Sequence, residues 1–196
     1  MRILVWGLLL AVPQVASAEP RWSFGWRSAI SSDLTPPPWL ICGGQWRWRV
    51  VPGIALGIDG DGGRGDRYET HDALRTAAER TMAKAGASVS KYLAHGGPWE
   101  VRVFGGGGLA VELTHVKVLD LDWVQDRIGY RPQAFAGVGV ERLWPRTWEG
   151  TKPGAAGVAL ELRGMWLAGD APMSAAPELS RFSVQLALEL NAYTGQ

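Results

Sequence analysis

Three histidines and one cysteine are the side chains of this 196-residue sequence with the widest choice of chemistry. A histidine beside a carboxylate and a serine could form a hydrolytic triad, and His115 with Asp120 is the pair that the spacing offers. No two histidines have the spacing of a metal site, so we expect His71 and His95 to be solvated. The single cysteine, Cys42, cannot form an internal disulfide, and we expect it to act as a small apolar residue.

A glycine- and aspartate-rich stretch begins at Asp59 and ends at Asp66. Its spacing is similar to that of a calcium-binding loop, but the twelfth position, which should be acidic, is Thr70. We therefore predict a polar loop over Gly60–Thr70. The Gly105–Gly108 run lacks the lysine signature and the strand-to-helix junction of a phosphate-binding loop. The sequence thus predicts neither a metal ion nor a cofactor.

Ten charged residues share one face of the predicted strands, opposite a mainly apolar face. Half are arginines and half are glutamates, and buried charges are tolerated only when they are matched. A balanced set therefore suits an enclosed network, although a soluble sandwich could expose the same residues on its wet surface. The predicted network residues are Arg27, Arg47, Arg49, Glu100, Arg102, Glu112, Glu141, Glu161, Arg163 and Glu189.

The last predicted strand shows the alternation most clearly. From Phe182 to Tyr193, all residues at even positions are apolar, and most of those between them are polar. Successive side chains of a strand point to opposite faces, so this pattern indicates a strand with one apolar face. A tilted strand needs roughly 9–11 residues to cross a bilayer. The segment therefore suits either a membrane strand or an amphipathic strand of a soluble barrel or sandwich.

The whole chain contains eight candidate strands. One region is ambiguous, because His71–Ala94 carries apolar residues at helical spacing. We predict a strand over Met82–Leu93 with a helical Asp72–Thr81, and a helix throughout is the alternative. A tight turn is predicted at Pro52-Gly53 and a loop over Leu119–Gly129. The other strands are predicted at Trp22–Ser31, Trp39–Val51, from Ile54 onward, and at Trp99–Val118, Arg131–Trp144, Ala156–Leu167 and Arg181–Tyr193.

The first 18 residues have the features of a secretory signal peptide: a charged Arg2, a short apolar core and the cleavage site Ala16-Ser-Ala18. We predict a single domain over residues 19–196. No later apolar run approaches 18 residues, so a membrane position would require a closed barrel. The 20 lysines and arginines nearly balance 19 acidic residues, which argues against nucleic acid as a partner.

Aromatic residues fall near many of the predicted strand ends. Two rings of tryptophan and tyrosine at the membrane–water boundaries are typical of membrane barrels. Trp46 and Trp48, in contrast, are placed in mid-strand, and Trp123 and Tyr130 lie near the end away from the termini. The residues predicted to form interfacial rings are Trp22, Trp39, Tyr92, Trp99, Trp144, Trp166 and Tyr193.

With its signal peptide, its glycine-rich hairpin Ser88–Glu112 and its closing hairpin Gly157–Tyr193, the chain resembles the small eight-stranded outer-membrane barrels of diderm bacteria, the OmpA/OmpX-like group. The resemblance implies an all-β, antiparallel, up-and-down transmembrane barrel with outer-membrane lipid as its partner. It also implies a structural or interaction role, a polar interior filled by side chains and at most a narrow solute passage. The group usually ends in an aromatic residue, whereas Tyr193 is followed here by Thr-Gly-Gln196.

Two alternatives stay open. One is a barrel enzyme acting on envelope lipid, similar to lipid A deacylases, which use a His/Ser site facing the lipid. Their His-x-Ser arrangement is not matched, because His115 is followed by Val116 and Lys117. We therefore favour a protein that is not an enzyme. The other alternative is a soluble periplasmic or secreted lipocalin-like barrel, which requires an apolar cavity.

Overall fold

The computed structural model describes residues 22–32, 39–71, 74–94, 98–146, 154–169 and 182–194. The predicted signal peptide, Met1–Ala18, lies outside the described residues, as does the side chain of Trp39. The described residues form eight strands: β1 (Trp22–Ser32), β2 (Trp39–Val51), β3 (Ile54–His71), β4 (Leu74–Ala94), β5 (Trp99–Val118), β6 (Trp123–Arg146), β7 (Gly154–Leu167) and β8 (Phe182–Thr194). No helix long and apolar enough to span a bilayer occurs in these ranges.

The strands form a closed barrel in which each strand pairs with the next and β8 pairs with β1. All of these pairings are antiparallel, which confirms the predicted up-and-down topology. A path that starts at Trp22 and passes from each residue to its cross-strand partner returns to β1 at Ser32 after one turn around the barrel. The strands are therefore staggered by ten residues (32 − 22). A stagger of this kind tilts the strands by roughly 35–45° from the barrel axis.

The predicted tight turn at Pro52-Gly53 joins β2 to β3. Gly53 has a φ of 74°, a left-handed conformation that glycine adopts without a steric penalty. The proline ring presets the backbone of the preceding turn position. The backbone N–H of Tyr92 also donates to the carbonyl of Gly53 at 2.8 Å, which ties this turn to β4.

Three segments that the sequence predicts as loop or helix are strands. Gly60–Thr70 continues β3 as far as His71, and β4 begins at Leu74, so both helical interpretations of this region are wrong. Within Leu119–Gly129 only residues 119–122 form a turn before β6 begins at Trp123. These segments are extended because their neighbours pair with their backbone groups, and those pairs satisfy the hydrogen bonds that a helix would make internally.

Four neighbouring strands are longer than the rest. Strands β3 to β6 contain 18, 21, 20 and 24 residues, whereas the other four contain 11 to 14. The register of β3 with β2 ends at Arg64, and the register of β6 with β7 begins at Gln133. The excess length therefore protrudes from the barrel end opposite the termini. We call this four-stranded sheet, residues 65–71, 74–80, 114–118 and 123–132, the extension.

The two faces of the barrel wall are opposite in character to those of a soluble barrel. In β8, Leu186, Leu188 and Leu190 point outward and are half exposed, whereas Gln185 and Glu189 on the opposite face are buried. A continuous exposed apolar surface marks contact with a membrane. The 13 residues of β8 rise roughly 30 Å at this tilt, about the thickness of a hydrocarbon core. The described strands therefore form a barrel of the transmembrane type, and the interior is not the apolar cavity that a lipocalin-like protein requires.

The glycine run of β5 makes room for aromatic rings inside the barrel. Gly106 pairs with Phe135, and Gly137 pairs with Phe104. A Cβ atom at Gly106 would lie 2.6 Å from the Phe135 ring, and one at Gly137 would lie 2.5 Å from the Phe104 ring. Each ring thus covers the backbone of the glycine opposite, and a glycine in a strand commonly marks such a close approach.

Candidate functional site

All ten of the predicted network residues are buried inside the barrel. Each lies at an inward-facing position of its strand, because a strand sends alternate side chains to opposite faces of the wall. They come from β1, β2, β5, β6, β7 and β8, so residues far apart in the sequence meet near the barrel axis. The candidate site is therefore the charged interior as a whole.

Arg102 is the centre of this network and is 1% exposed. Its guanidinium donates to Glu141 and Glu161 at 3.1 Å each and to Glu189 at 2.5 Å. Arg47 binds the same group of carboxylates, with its Nη2 atom 3.2 Å from Glu189 and 3.7 Å from Glu161. Two guanidinium groups therefore share three carboxylates, and the charge-assisted hydrogen bonds compensate for their removal from water.

The network continues toward the end of the barrel that carries the chain termini. Tyr193 donates its hydroxyl to Glu141 at 2.6 Å, and the Asn191 amide donates to the other oxygen of Glu141 at 2.9 Å. Arg49 forms an ion pair with Glu100 and lies 4.1 Å from the centre of the Tyr92 ring. These contacts fill the terminal end of the interior with paired polar groups.

Two tyrosines that the sequence predicts at the membrane interface belong to this interior. Tyr92 is 2% exposed and Tyr193 is 3% exposed, so the interfacial prediction is wrong for both. Their positions near strand ends suggest an interfacial role, but the alternation of each strand places them on the inward face. In β8, Tyr193 shares the face of Glu189, and that parity is the signal that places it correctly.

In the opposite direction, the network extends to residues that the sequence analysis did not single out. Arg163 donates to Asp59 at 2.7 Å, Lys84 lies 3.0 Å from Asp61, and Arg27 pairs with Asp61. The prediction omits Asp61 because it places a loop after Asp59, and it omits Arg80 because it places a helix over Asp72–Thr81. The other interior charges lie within predicted strands but are left out of the predicted network. Alternation continued along every strand would have found all of them. The additional interior charges are Asp59, Asp61, Arg80, Lys84 and Arg131.

A layer of apolar side chains crosses the interior beyond the charged network. It consists of Ala29, Ile41, Met82, Ala110, Leu167 and Ala187, all buried. On its far side Arg131 binds Glu112 at 3.2 Å and donates to the backbone carbonyls of Ala168 and Gly169 at 3.2 and 3.0 Å. In the described residues, side chains therefore occupy the barrel interior from the terminal end to the base of the extension.

The other predicted interfacial aromatics with described side chains, Trp22, Trp99, Trp144 and Trp166, lie on the outer surface. Trp99, Trp144 and Trp166 are about half exposed, and Trp22 stacks on Trp46 and Trp48 with ring centroids 4.9 and 5.4 Å apart. Because Trp22 and Trp48 pair across strands near the terminal end, Trp48 lies near that end and not in mid-strand as predicted. The structure thus places a band of outward-facing indoles around this end, with Trp123, Tyr130 and Trp166 exposed toward the other.

The histidine that could have formed a hydrolytic triad lies in the extension, outside the charged interior. His115 Nδ1 is 2.5 Å from Asp126, whereas Asp120 pairs with Arg75, so the predicted pair of His115 with Asp120 is wrong. The strand register places Glu79 and Asp126 beside His115, and no described serine adjoins it there. Among the described residues, no three His, Cys, Asp or Glu side chains are grouped to hold a metal ion.

The tip of the extension is held by Arg75 and Asp120. The Arg75 guanidinium donates to Asp120 at 2.8 and 3.1 Å, and its backbone N–H donates at 2.7 Å. These hydrogen bonds hold the pKa of Asp120 below its usual value, and the bonds from the Arg75 side chain have the largest effect. A carboxyl with a lowered pKa stabilises the fold above its unfolded pKa, and that contribution is lost as the pH falls through the folded pKa.

We therefore expect the Asp120 carboxyl to keep its charge to a lower pH than an ordinary aspartate. In an NMR titration of the side-chain carboxyl, Arg75→Gln should move the midpoint upward, because the guanidinium donors are lost. An unchanged midpoint in the variant would show that Arg75 does not control the Asp120 charge. Arg127→Gln, which changes a guanidinium elsewhere on the extension, serves as the control and should leave the midpoint where it is.

Among known proteins, no family model and no curated sequence matches this chain. Three solved structures are similar to it. The attachment invasion locus protein Ail of Yersinia pestis is 10% identical, with a TM-score of 0.47, and the match covers 88% of this chain and 95% of that one. Neisserial surface protein A is 11% identical with the same coverage and a TM-score of 0.47. The N-terminal β-barrel domain of OprF of Pseudomonas aeruginosa is 11% identical, covers 88% and 99%, and has a TM-score of 0.44.

Similarities at this level leave the role of the chain to be argued from its own residues. The closed eight-stranded antiparallel barrel has the architecture of the small outer-membrane barrels that the sequence resembles.

Proposed function

We propose that this chain is an outer-membrane barrel of structural or interaction type, closed to solutes, that holds the extension above the lipid surface. The observation that carries the proposal is the inversion of the barrel wall. Apolar side chains face outward on all eight described strands, while ion-paired arginines and glutamates fill the interior. Water would penalise that outer face, and lipid accepts it. The short described turn at Pro52-Gly53 on the terminal end suits the periplasmic side.

The packing of the interior supports a barrel without a solute path. An eight-stranded barrel is just wide enough for side chains to fill it. The cluster around Arg102 occupies one level, and the apolar layer that includes Ile41 and Met82 crosses another. A solute would have to break buried ion pairs and then displace packed apolar groups, so we propose a filled interior in place of the narrow passage that the resemblance left open.

The extension supports an interaction role. Beyond the barrel, β3 runs past the register of β2, and β6 runs past the register of β7, so within the described ranges the outer edges of the extension lack those neighbours. Edges of this kind are sites where another chain can pair. Trp123, Ile128 and Tyr130 on β6 are exposed by 46, 60 and 68%. The proposed partner-binding surface is therefore the extension and not the barrel interior.

The test combines localisation with conductance. The expressed full-length chain should sediment with the outer membrane, and its band in an unheated detergent gel should shift on boiling. Purified protein in planar bilayers should show no stepwise conductance above that of bilayers alone, because its interior is filled. Recovery in the soluble fraction would overturn the membrane assignment. Regular conductance steps would overturn the closed interior while leaving the membrane assignment in place.

A further inference from the structure

Arg142 is an arginine on the outer face of β6, near the end of the barrel that carries the termini. Its guanidinium carbon lies 5.4 Å from the centre of the Trp99 ring and 5.3 Å from that of the Trp144 ring. Trp99 is the cross-strand partner of Arg142, and Trp144 is two residues further along the same face. The Leu143 N–H donates to the Pro98 carbonyl at 2.8 Å, which holds the two strands together at this point.

Among the described residues, the surroundings of Arg142 contain no negative charge. The alternation of β6 and its register with β5 and β7 place only apolar side chains beside it on the outer face. No carboxylate in the described part of the chain forms an ion pair with it. The neighbouring outward side chains are Trp99, Val140, Trp144, Ala156, Val158 and Leu160.

The charges of the outer face are distributed unevenly. Over the barrel wall, the described outward-facing side chains near the terminal end include two bases, Lys91 and Arg142, and no acid. The other described outward bases lie toward the extension and have partners: Arg64 is 2.8 Å from Glu79, Arg75 is 2.8 Å from Asp120, and Lys117 is 3.7 Å from Asp122. The terminal rim thus presents a positive charge held between indoles, at the level where those indoles mark the edge of the lipid.

From this geometry we infer that Arg142, with Trp99 and Trp144, forms a binding site for the phosphodiester headgroup of a glycerophospholipid. The inference rests on the proposed function, because it requires the outer face to lie in lipid. The two indoles hold the guanidinium by cation–π contacts and leave its N–H groups to donate to phosphate oxygens. The acyl chains of the same lipid would lie along the apolar face below, over Val140 and Val158.

The inference can be tested in dodecyl maltoside micelles, which contain no phosphate. The refolded full-length chain is titrated with dihexanoyl phosphatidylglycerol while the indole N–H signals of Trp99 and Trp144 are followed by NMR. We expect saturable shifts. Arg142→Gln should weaken the binding by about tenfold or more, because charge-assisted hydrogen bonds are lost. Arg142→Lys keeps the charge but lacks the planar guanidinium, so its affinity should lie between those of the unmodified chain and Arg142→Gln.

Three control arms define the ligand. Arg127→Gln removes a guanidinium from the extension and should bind like the unmodified chain. Dihexanoylglycerol, which lacks the phosphate, should leave the indole signals in place, and inorganic phosphate should act only weakly. Equal shifts in Arg142→Gln, or equal shifts with dihexanoylglycerol, would overturn the site. Equally tight binding of inorganic phosphate would overturn the assignment to a lipid.

A separate readout distinguishes this inference from the proposed function. The unmodified chain and Arg142→Gln are each mixed with phosphatidylcholine vesicles, and insertion is scored by the heat-modifiable band. If both insert and neither shows saturable shifts with phosphatidylglycerol, the lipid site is wrong while the membrane barrel stands. If the unmodified chain does not insert at all, the proposed function itself fails.

Discussion

Replacement of Arg102 by methionine should lower the free energy of unfolding by about 3–5 kcal/mol, the usual cost of removing one partner from a buried ion pair. The arginine is 1% exposed and binds three glutamates. In this variant Glu161 and Glu189 still have the Arg47 guanidinium nearby to balance their charge. Glu141 loses its cation and retains the donors of Tyr193 and Asn191, so one buried carboxylate is left without a balancing charge.

The loss can be measured by urea titration in phosphatidylcholine vesicles, followed by tryptophan fluorescence. Arg64→Met makes the same substitution in an exposed pair with Glu79, whose side chains are 62 and 38% exposed. It should cost no more than about 1 kcal/mol, because exposed ion pairs are weak. Adding Glu141→Gln to Arg102→Met should recover part of the loss, since the uncompensated charge disappears. Equal costs for the two methionine variants would contradict an enclosed charge network.

Replacement of Leu188 by arginine should destabilise the barrel in vesicles by about 2–4 kcal/mol, the cost of an arginine on the lipid face at the bilayer midplane. Leu188 lies in the middle of β8 and is 51% exposed. On a surface in water the same change would replace an exposed leucine by a well-solvated side chain and should cost little. The substitution therefore reports directly on what surrounds the outer face.

Thr194→Arg at the end of the same strand is the matched control. It introduces the same charge on the same outer face but near the interface, where the cost falls to about 0–1 kcal/mol. Both variants are followed by urea titration in vesicles and by the temperature at which the unheated gel band shifts. A Leu188→Arg variant as stable as Thr194→Arg would mean that the apolar face does not lie in a membrane.

The alternation within each barrel strand can be recognised from the amino-acid sequence. A strand repeats every two residues, so a run such as Phe182–Tyr193 assigns its leucines to one face and Glu189 to the other. The membrane barrel follows from applying this rule to eight segments. The same rule places Tyr92 and Tyr193 inside. The interfacial prediction for these two tyrosines is wrong because it depends on their positions at strand ends and not on their parity.

The extension cannot be recognised in this way. Gly60–Thr70 is polar, and in Leu119–Gly129 the apolar alternation stops after Trp123, and these features predict loops. Strands that rise above the lipid have water on at least one face, and no continuous apolar stripe is needed there. Alanine-rich β4 has helical spacing, and only its pairing with β3 and β5 decides for a strand. Propensity is a weak prior that such tertiary pairing overrides.

Only the closed barrel decides which arginine contacts which glutamate. The amino-acid sequence is enough to predict that these arginines and glutamates share one face of the strands, because the face depends only on position within a strand. That Arg102 lies between Glu141, Glu161 and Glu189 depends on the register of each strand pair and on the ten-residue stagger around the barrel. Register depends on the turn that joins each pair of strands and on the packing of their faces in the closed barrel, so the alternation within a single strand does not encode it.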